Sequence, residues 1–340
     1  MLAVLMIMTG CQDISEQTWA VKSGDAQINL GVYQMYQIDA LQKALFAALD
    51  SGKELSGQMI NGKEAYEWIK ETSRNSVLIA IAAEYRLKEL GINWTSEEQF
   101  NMEKYANNTW NNVASWLDGN SLTMGTYIDF LYYSGRFDYL LELLYTPLQG
   151  LKAIPVEELA AFVSENAVPV NRMVTGMDAA DEINEATRIR YRRYAADINA
   201  NIRTIQQCVD AENAYYSAEG AADHDGHGHE TNFDTDSQMT FNDGTSAGAE
   251  MTKTVFALKN GEAVVIEGVS ALYLVQRDDA IDINAYVKQN QFDILHRYKE
   301  QDLFDELMKL AAGFDVKFND EALKTILPEE INIPVPVQTE

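Results

Sequence analysis

The chain has 340 residues, 46% of them hydrophobic, and a formal charge of −26 with a pI near 4.4. That length holds two domains of ordinary size, and that apolar content excludes global disorder. So acidic a surface is repelled by nucleic acid and by anionic lipid headgroups, which leaves neutral or basic polypeptides as the favoured macromolecular contacts.

The chain opens on an apolar run, Leu2 to Met8, followed by Thr9, Gly10 and Cys11. The run is too short for a membrane-spanning helix, which needs about 20 apolar residues, and it suits the end of a secretory signal. Met8-Thr9-Gly10-Cys11 resembles a bacterial lipobox. The resemblance implies that residues 1–11 are signal peptide and lipobox, that cleavage precedes Cys11, and that the Cys11 thiol receives a diacylglycerol. The mature chain is then tethered to the outer side of a membrane. The bland alternative is a buried apolar segment with an incidental cysteine. Cys208 is the only other cysteine. It is left without an intramolecular disulfide partner, and the pattern suits a small core residue or a half-buried thiol on a helix.

Residues 12–24 read as a short tether, and Asp25 to Leu30 as a short extended element leading into a helix over about 31–50. Gly52, Gly57 and Gly62 break that helix. Lys63 to Leu90 contains no Gly or Pro and is the strongest helical signal, stopped by Gly91. Thr95 and Glu98 stand in capping-box spacing and open the next helix, which runs to about Leu117. Another helix covers about 123–146 and ends near Pro147. A short helix follows from Pro155 to Asn166, then a strand from Ala167 to Thr175, then helix over 178–217. Residues 218–248, rich in Gly, Asp, Ser, Thr and His, read as a long loop. Ala249 to Leu258 is a short helix, and the runs 263–267 and 271–277 form a hairpin. A long helix is expected from Ile283 to Ala312, with Leu303, Leu307, Leu310 and Phe314 on one face. Val316 to Phe318 is a brief extended piece, and a short helix and a Pro-rich tail follow.

This order of elements resembles the extracytoplasmic parvulin-type foldases, the PrsA and SurA group. Ile154-Pro155-Val156-Glu157-Glu158-Leu159 is similar to the family's helix before the isomerase domain, and Pro169 to Thr175 to its first strand. The segment Phe256-Ala257-Leu258-Lys259-Asn260-Gly261-Glu262 resembles the family's Phe-x-Leu-Lys-x-Gly-Glu helix end. Tyr298 to Leu327 resembles its closing helix, strand and short helix. The fold implied is α+β and mainly helical: a helical chaperone domain split between residues 25–166 and 281–327, with a small parvulin-like domain, residues 167–280, inserted. Residues 328–340 form a tail.

The departures from the family define the site expectation. Histidines of the first and last strands are replaced by Arg172 and Tyr273. The methionine and phenylalanine of the prolyl pocket align with Ala247 and Met251, while Phe256 keeps its type. The resemblance therefore implies a foldase that binds unfolded or nascent secreted polypeptides outside the membrane, with weak or no prolyl cis/trans isomerase activity. An active isomerase with an atypical pocket is the alternative within the family. A different class of function rests on Asp223 to Glu230, which holds His224, His227 and His229. Imidazoles so close together can capture zinc, nickel or copper, which would make the chain a metal-capturing surface lipoprotein. The competing reading is a solvated loop with adventitious divalent metal, and no other cofactor is expected.

Two further features stand out. Tyr127, Phe130, Tyr132, Tyr133, Phe137, Tyr139 and Tyr145 crowd one stretch of the N-terminal half, which also carries Met35, Met59, Met102 and Met124. Adaptable apolar groups of this kind suit client binding, and ordinary core packing is the plainer reading for each one. The basic run Arg188 to Arg193 reads as a solvated helix face or as partners for nearby carboxylates.

Overall fold

Trp19–Ser23 forms strand β1, although the composition of 12–24 reads as a tether. Its two central residues explain the difference: Ala20 and Val21 are fully buried, against partners the local sequence does not display. β1 pairs antiparallel with β2 (Ala26–Asn29) on one side and on the other with β9 (Val316–Phe318), from the far end of the chain. The computed structural model describes residues 18–49, 55–176, 185–219, 236–242, 249–268 and 271–333. The fold is α+β and mainly helical, and it divides into two units. The first comprises the residues up to Ala153 and those from Leu295 on, and the second runs from Ile154 to Ile294.

In the first unit, Asn29 accepts a bond from the Val32 N–H at 2.9 Å and starts α1 (Leu30–Leu49). Most of the described face of α1 is buried, which suits a helix at the centre of a bundle. The helix is followed by a small hairpin, β3 (Met59–Ile60) and β4 (Lys63–Glu64). Asn61 and Gly62 form its turn with φ of 49° and 80°, the left-handed pair that a two-residue hairpin loop demands. Glu64 caps α2 (Ala65–Glu89) by accepting from the N–H groups of Tyr66 and Glu67. Thr95 and Glu98 form the expected capping box of α3 (Ser96–Gly119), and Thr123 caps α4 (Met124–Tyr145). Two clusters fill this unit. One gathers Ile38, Leu41, Ile69, Leu117 and Tyr127, closed by Ile331 from the C-terminal segment. The other packs Val21, Ile28, Tyr33, Val77 and Ile81 beneath the three-stranded sheet.

The second unit begins with α5 (Val156–Asn166), which runs directly into β5 (Ala167–Gly176). The sequence reads residues 178–217 as helical throughout, but α6 (Glu185–Asn199) and α7 (Ile205–Glu219) are separate. Asn201 takes φ 55°, and the Ile202 N–H donates to Asp197 at 2.8 Å, a left-handed cap that ends α6. Thr204 and Gln207 then exchange bonds at 3.2 and 2.9 Å as a second capping box. The segment read as one long loop contains strand β6 (Asp236–Phe241), paired with β5. α8 (Ala249–Ala257) leads to the hairpin β7 (Ala263–Glu267) and β8 (Ala271–Arg277), and the sheet order is β6-β5-β8-β7. The long C-terminal helix is broken at Asn290 into α9 (Ile283–Gln289) and α10 (Gln291–Ala311). Asn290 has φ −119°, and its backbone N–H and side-chain amide both donate to Tyr286 O, at 3.0 and 2.9 Å, as the cap of α9. Because α10 stops at Ala311, Phe314 lies beyond the helix whose face it was expected to extend. α11 (Asp320–Leu323) and a 3₁₀ turn at Pro328–Glu330 complete the first unit.

Candidate functional site

The alternation of β5 puts Val168, Val170 and Arg172 on one face of the second unit's sheet. Register places Arg172 opposite Val275 of β8, and places Tyr273 between Val174 of β5 and Ile266 of β7. Arg172 and Tyr273 are thus diagonal neighbours, and the guanidinium carbon lies 5.8 Å from the Tyr273 ring centroid. α8 lays Met251, Val255 and Phe256 on the same face, over Val168, Val170 and Val275. Gly268 gives the Tyr273 ring its room: a Cβ there would stand 2.9 Å from Tyr273 Cε2. Four of the residues singled out in the sequence therefore meet in one place: Arg172, Met251, Phe256 and Tyr273. Ala247, Cys11, His224, His227 and His229 lie outside the described residues. The face offers apolar area and a fixed cation over a ring. A guanidinium is a permanent charge and lacks the donor–acceptor exchange of an imidazole.

The opposite face of that sheet is closed by α6 and α7. Met173, Leu272 and Leu274 pack there against Tyr191, Ile198, Cys208 and Val209. Cys208 is buried, and burial pushes its thiol up to about 11, the signature of an inert core cysteine. The basic run finds carboxylates. Arg188 grips Glu267 at 2.9 and 2.6 Å, and Arg190 grips the fully buried Glu212 at 2.7 and 2.8 Å. Arg192 stands 3.4 Å from Glu185. Among the described residues no group of three or more His, Cys, Asp or Glu side chains is placed to hold a metal ion.

Among the described residues of the first unit are two open grooves. The larger, about 710 Å³, lies between Ile81, Glu84, Tyr85 and Lys88 of α2, the β1–β2 turn, and Gly313, Phe314 and Asp315. Tyr85 is 45% exposed, and its ring centroid stands 5.1 Å from that of Phe314, so two aromatic rings meet at an open surface. Glu84 reaches Lys88 at 3.2 Å and Arg136 of α4 at 2.5 Å. The second groove, about 460 Å³, runs between α3 and α4, with Trp94, Met102, Tyr105, Leu131 and Asp138 among its walls. Burial raises the Asp138 carboxyl, an effect opposed by His296 at 3.6 Å. Arg136, only 2% exposed, links the two grooves: it pairs with Glu84 of the first and stacks 4.5 Å from the Trp94 ring of the second. Its third neighbour, the Tyr132 ring, lies 4.4 Å away.

Sequence reasoning pointed to this half of the chain through its aromatic and methionine content, and Met102 and Tyr132 are used here. It passed over Tyr85, Trp94 and Arg136. Tyr85 carried a weak signal, a large aromatic among the charged residues that end a helix. Arg136 carried none, because Glu84 and Trp94 come from distant stretches of the chain.

No protein-family model and no curated protein matches the chain. Similar solved structures include the foldase protein PrsA of Streptococcus pneumoniae, at 14% identity over 82% of this chain and 98% of that one, with a TM-score of 0.39. PrsA of Bacillus subtilis is similar at 11% identity over 82% and 91%, with a TM-score of 0.30. Peptidylprolyl isomerase (PrsA) of Bacillus cereus is similar at 13% identity over 79% and 94%, with a TM-score of 0.25. Overlap this low leaves function to be argued from the chain's own residues.

Proposed function

We propose that the chain is a lipid-anchored, extracytoplasmic holder of unfolded secreted polypeptides, with weak or no prolyl isomerase activity. The observation that carries this reading is the 710 Å³ groove in which Tyr85 and Phe314 meet at the surface. Rings held in place present apolar area to a passing segment at little further ordering cost, and they do not select one sequence. The second groove adds the thioether of Met102, which adapts its shape to what it touches. Binding of this kind is weak, reversible and independent of nucleotide. The charge of −26 keeps a loaded complex in solution. A diacylglycerol on Cys11 would hold the protein where exported chains emerge.

We read the second unit as a parvulin-type domain with an altered pocket, inserted into the helical client-binding domain. The peptide-bond barrier is about 18–20 kcal/mol, and lowering it needs polar groups placed around a twisted prolyl amide. Arg172 over Tyr273, beside Met251 and Phe256, supports holding an apolar segment more than it supports turning one.

The test is the light scattering of a chemically unfolded secreted protein on dilution into the mature chain. Suppression is expected near stoichiometric amounts. The double variant Tyr85→Ser, Phe314→Ser should need several-fold more protein for the same effect, compared at a temperature where circular dichroism shows it folded, because Phe314 also packs against the core beneath the sheet. Exchange of a prolyl peptide should be accelerated weakly or not at all. No suppression of any client, combined with stoichiometric zinc binding lost on deleting 223–230, would replace this reading with metal capture.

A further inference from the structure

The contacts between α3 and α4 advance in opposite directions along the two helices, so the pair is antiparallel. Near the turn that joins them, Thr109 Oγ1 stands 3.0 Å from the Tyr127 hydroxyl, and further along a Cβ on Gly135 would stand 3.6 Å from Met102 Cε. That pairing sets Glu98 across from Asp138. The walls of the second groove therefore sort by position. Met102, Tyr105 and Leu131 give one end apolar area, and Glu98 and Asp138 stand at the other end on opposite walls. Tyr105 is 55% exposed, so its ring is open to whatever enters.

Neither carboxylate is matched by a cation of its own. Glu98 Oε2 accepts from the Thr95 N–H at 2.7 Å and from the Thr95 hydroxyl at 2.9 Å, both neutral donors, and no bond to Oε1 is found among the described residues. Asp138 faces one nitrogen of His296 at 3.6 Å, while the other nitrogen faces Glu300 at 3.7 Å, so one imidazole is shared by two carboxylates. Lys43 of α1 acts on both, but it is bound to Asp39 at 2.8 Å, and Glu142 adds a further negative charge beside Asp138. Even with His296 protonated, Asp39, Asp138, Glu142 and Glu300 outnumber His296 and Lys43. Among the described residues no lysine or arginine lines the groove. Arg136, stacked on Trp94, is committed to Glu84.

We propose that this groove selects segments of unfolded polypeptide in which a lysine or arginine stands among apolar residues. The cationic head reaches Glu98 and Asp138, and its stem and apolar neighbours lie over Met102 and Tyr105. The inference rests on the reading of the grooves as client-binding and names the class of segment that the second one favours. Exposed carboxylates contribute selectivity more than affinity, so the preference is a matter of a few-fold. A second copy of this chain is disfavoured as the occupant, since it would bring another charge of −26 to an acidic groove.

The experiment uses the full mature chain, a short labelled apolar peptide with one Lys, and the same peptide with Gln in its place, followed by fluorescence anisotropy at low salt. The Lys peptide should bind about fivefold more tightly, the worth of two surface ion pairs. The double variant Glu98→Gln, Asp138→Asn should abolish that preference and leave the affinity of the Gln peptide unchanged, because Gln at position 98 still completes the capping box. Glu97→Gln with Glu103→Gln removes the same charge from α3 off the groove wall and should leave the preference intact. Carbodiimide coupling of the Lys peptide to the unsubstituted protein should join its amine to Glu98 or Asp138, read by mass spectrometry, and decides the matter if the double variant fails to fold. Equal binding of the two peptides, no binding of either, a preference that survives the double variant, or coupling confined to other carboxylates would each overturn the proposal. The reading of the chain as a holder is judged separately by client aggregation. Suppression together with equal peptide binding leaves that reading standing and this proposal overturned, and absence of both suppression and binding overturns the two together.

Discussion

Glu212 is fully buried and bears a charge, so its place in the fold depends on what surrounds it. Arg190 supplies two bonds, the Tyr194 hydroxyl donates a third at 3.1 Å, and the Tyr215 ring covers the guanidinium at 4.0 Å. Removing one partner of such a pair strands the other charge, at a cost of about 3–5 kcal/mol. Glu212→Ala should therefore lower the urea midpoint of the second unit sharply. The double variant Glu212→Leu, Arg190→Met should recover much of the loss, because neither charge remains to be solvated. The basic run was visible in the sequence, and the reading that its arginines serve nearby carboxylates matches the contacts. Which carboxylates they serve was not legible. Glu267 lies 79 residues from Arg188 and Glu212 lies 22 from Arg190, distances that only the packing of α6 on α7 and β7 closes. Arg172 and Tyr273 differ in this respect. Both were singled out by comparison with a pattern, and their diagonal contact across β5 and β8 follows from register.

At the scale of elements, helices with strong local signals were read within a few residues. The Thr95–Glu98 box stands where its spacing placed it, with Thr95 accepting from the Glu98 N–H at 3.1 Å and Glu98 accepting from the Thr95 N–H at 2.7 Å. Thr95→Ala should cost about 1 kcal/mol, read as a lower thermal midpoint, and should loosen Glu98 on the wall of the second groove. The same logic applied to Thr204-Ile205-Gln206-Gln207 would have divided the 178–217 helix, and Asn61-Gly62 would have announced the β3–β4 hairpin. Those signals were present and unused. β1 and β6 are a separate matter. Trp19–Ser23 and Asp236–Phe241 are five and six residues long, and each is a strand because a distant strand pairs with it. Short strands draw most of their stability from cross-strand neighbours, so their own composition identifies them poorly.

Across the whole molecule, the two units differ in how much of the chain they need. Residues 154–294 contain every strand of the four-stranded sheet and both clusters that cover it. Expressed alone, this segment should unfold in one cooperative thermal transition by circular dichroism. Residues 18–153 alone should not, because they lack β9, which pairs with β1, and Ile331, which closes a core. A cooperative transition in that fragment would show the C-terminal segment to be dispensable. The sequence by itself determined the mainly helical α+β class, the positions of most helices and the acidic surface. These follow from composition, periodicity, caps and local pattern, all of which act over a few residues. Tertiary structure alone decided that Tyr85 and Phe314 meet across an open groove, that Arg136 is buried among α2, α4 and Trp94, and that the Asn199 side-chain amide bonds both backbone groups of Ala263 in β7. Each of those depends on groups brought together from separate stretches of chain, where geometry is set by packing and not by any single segment's preference.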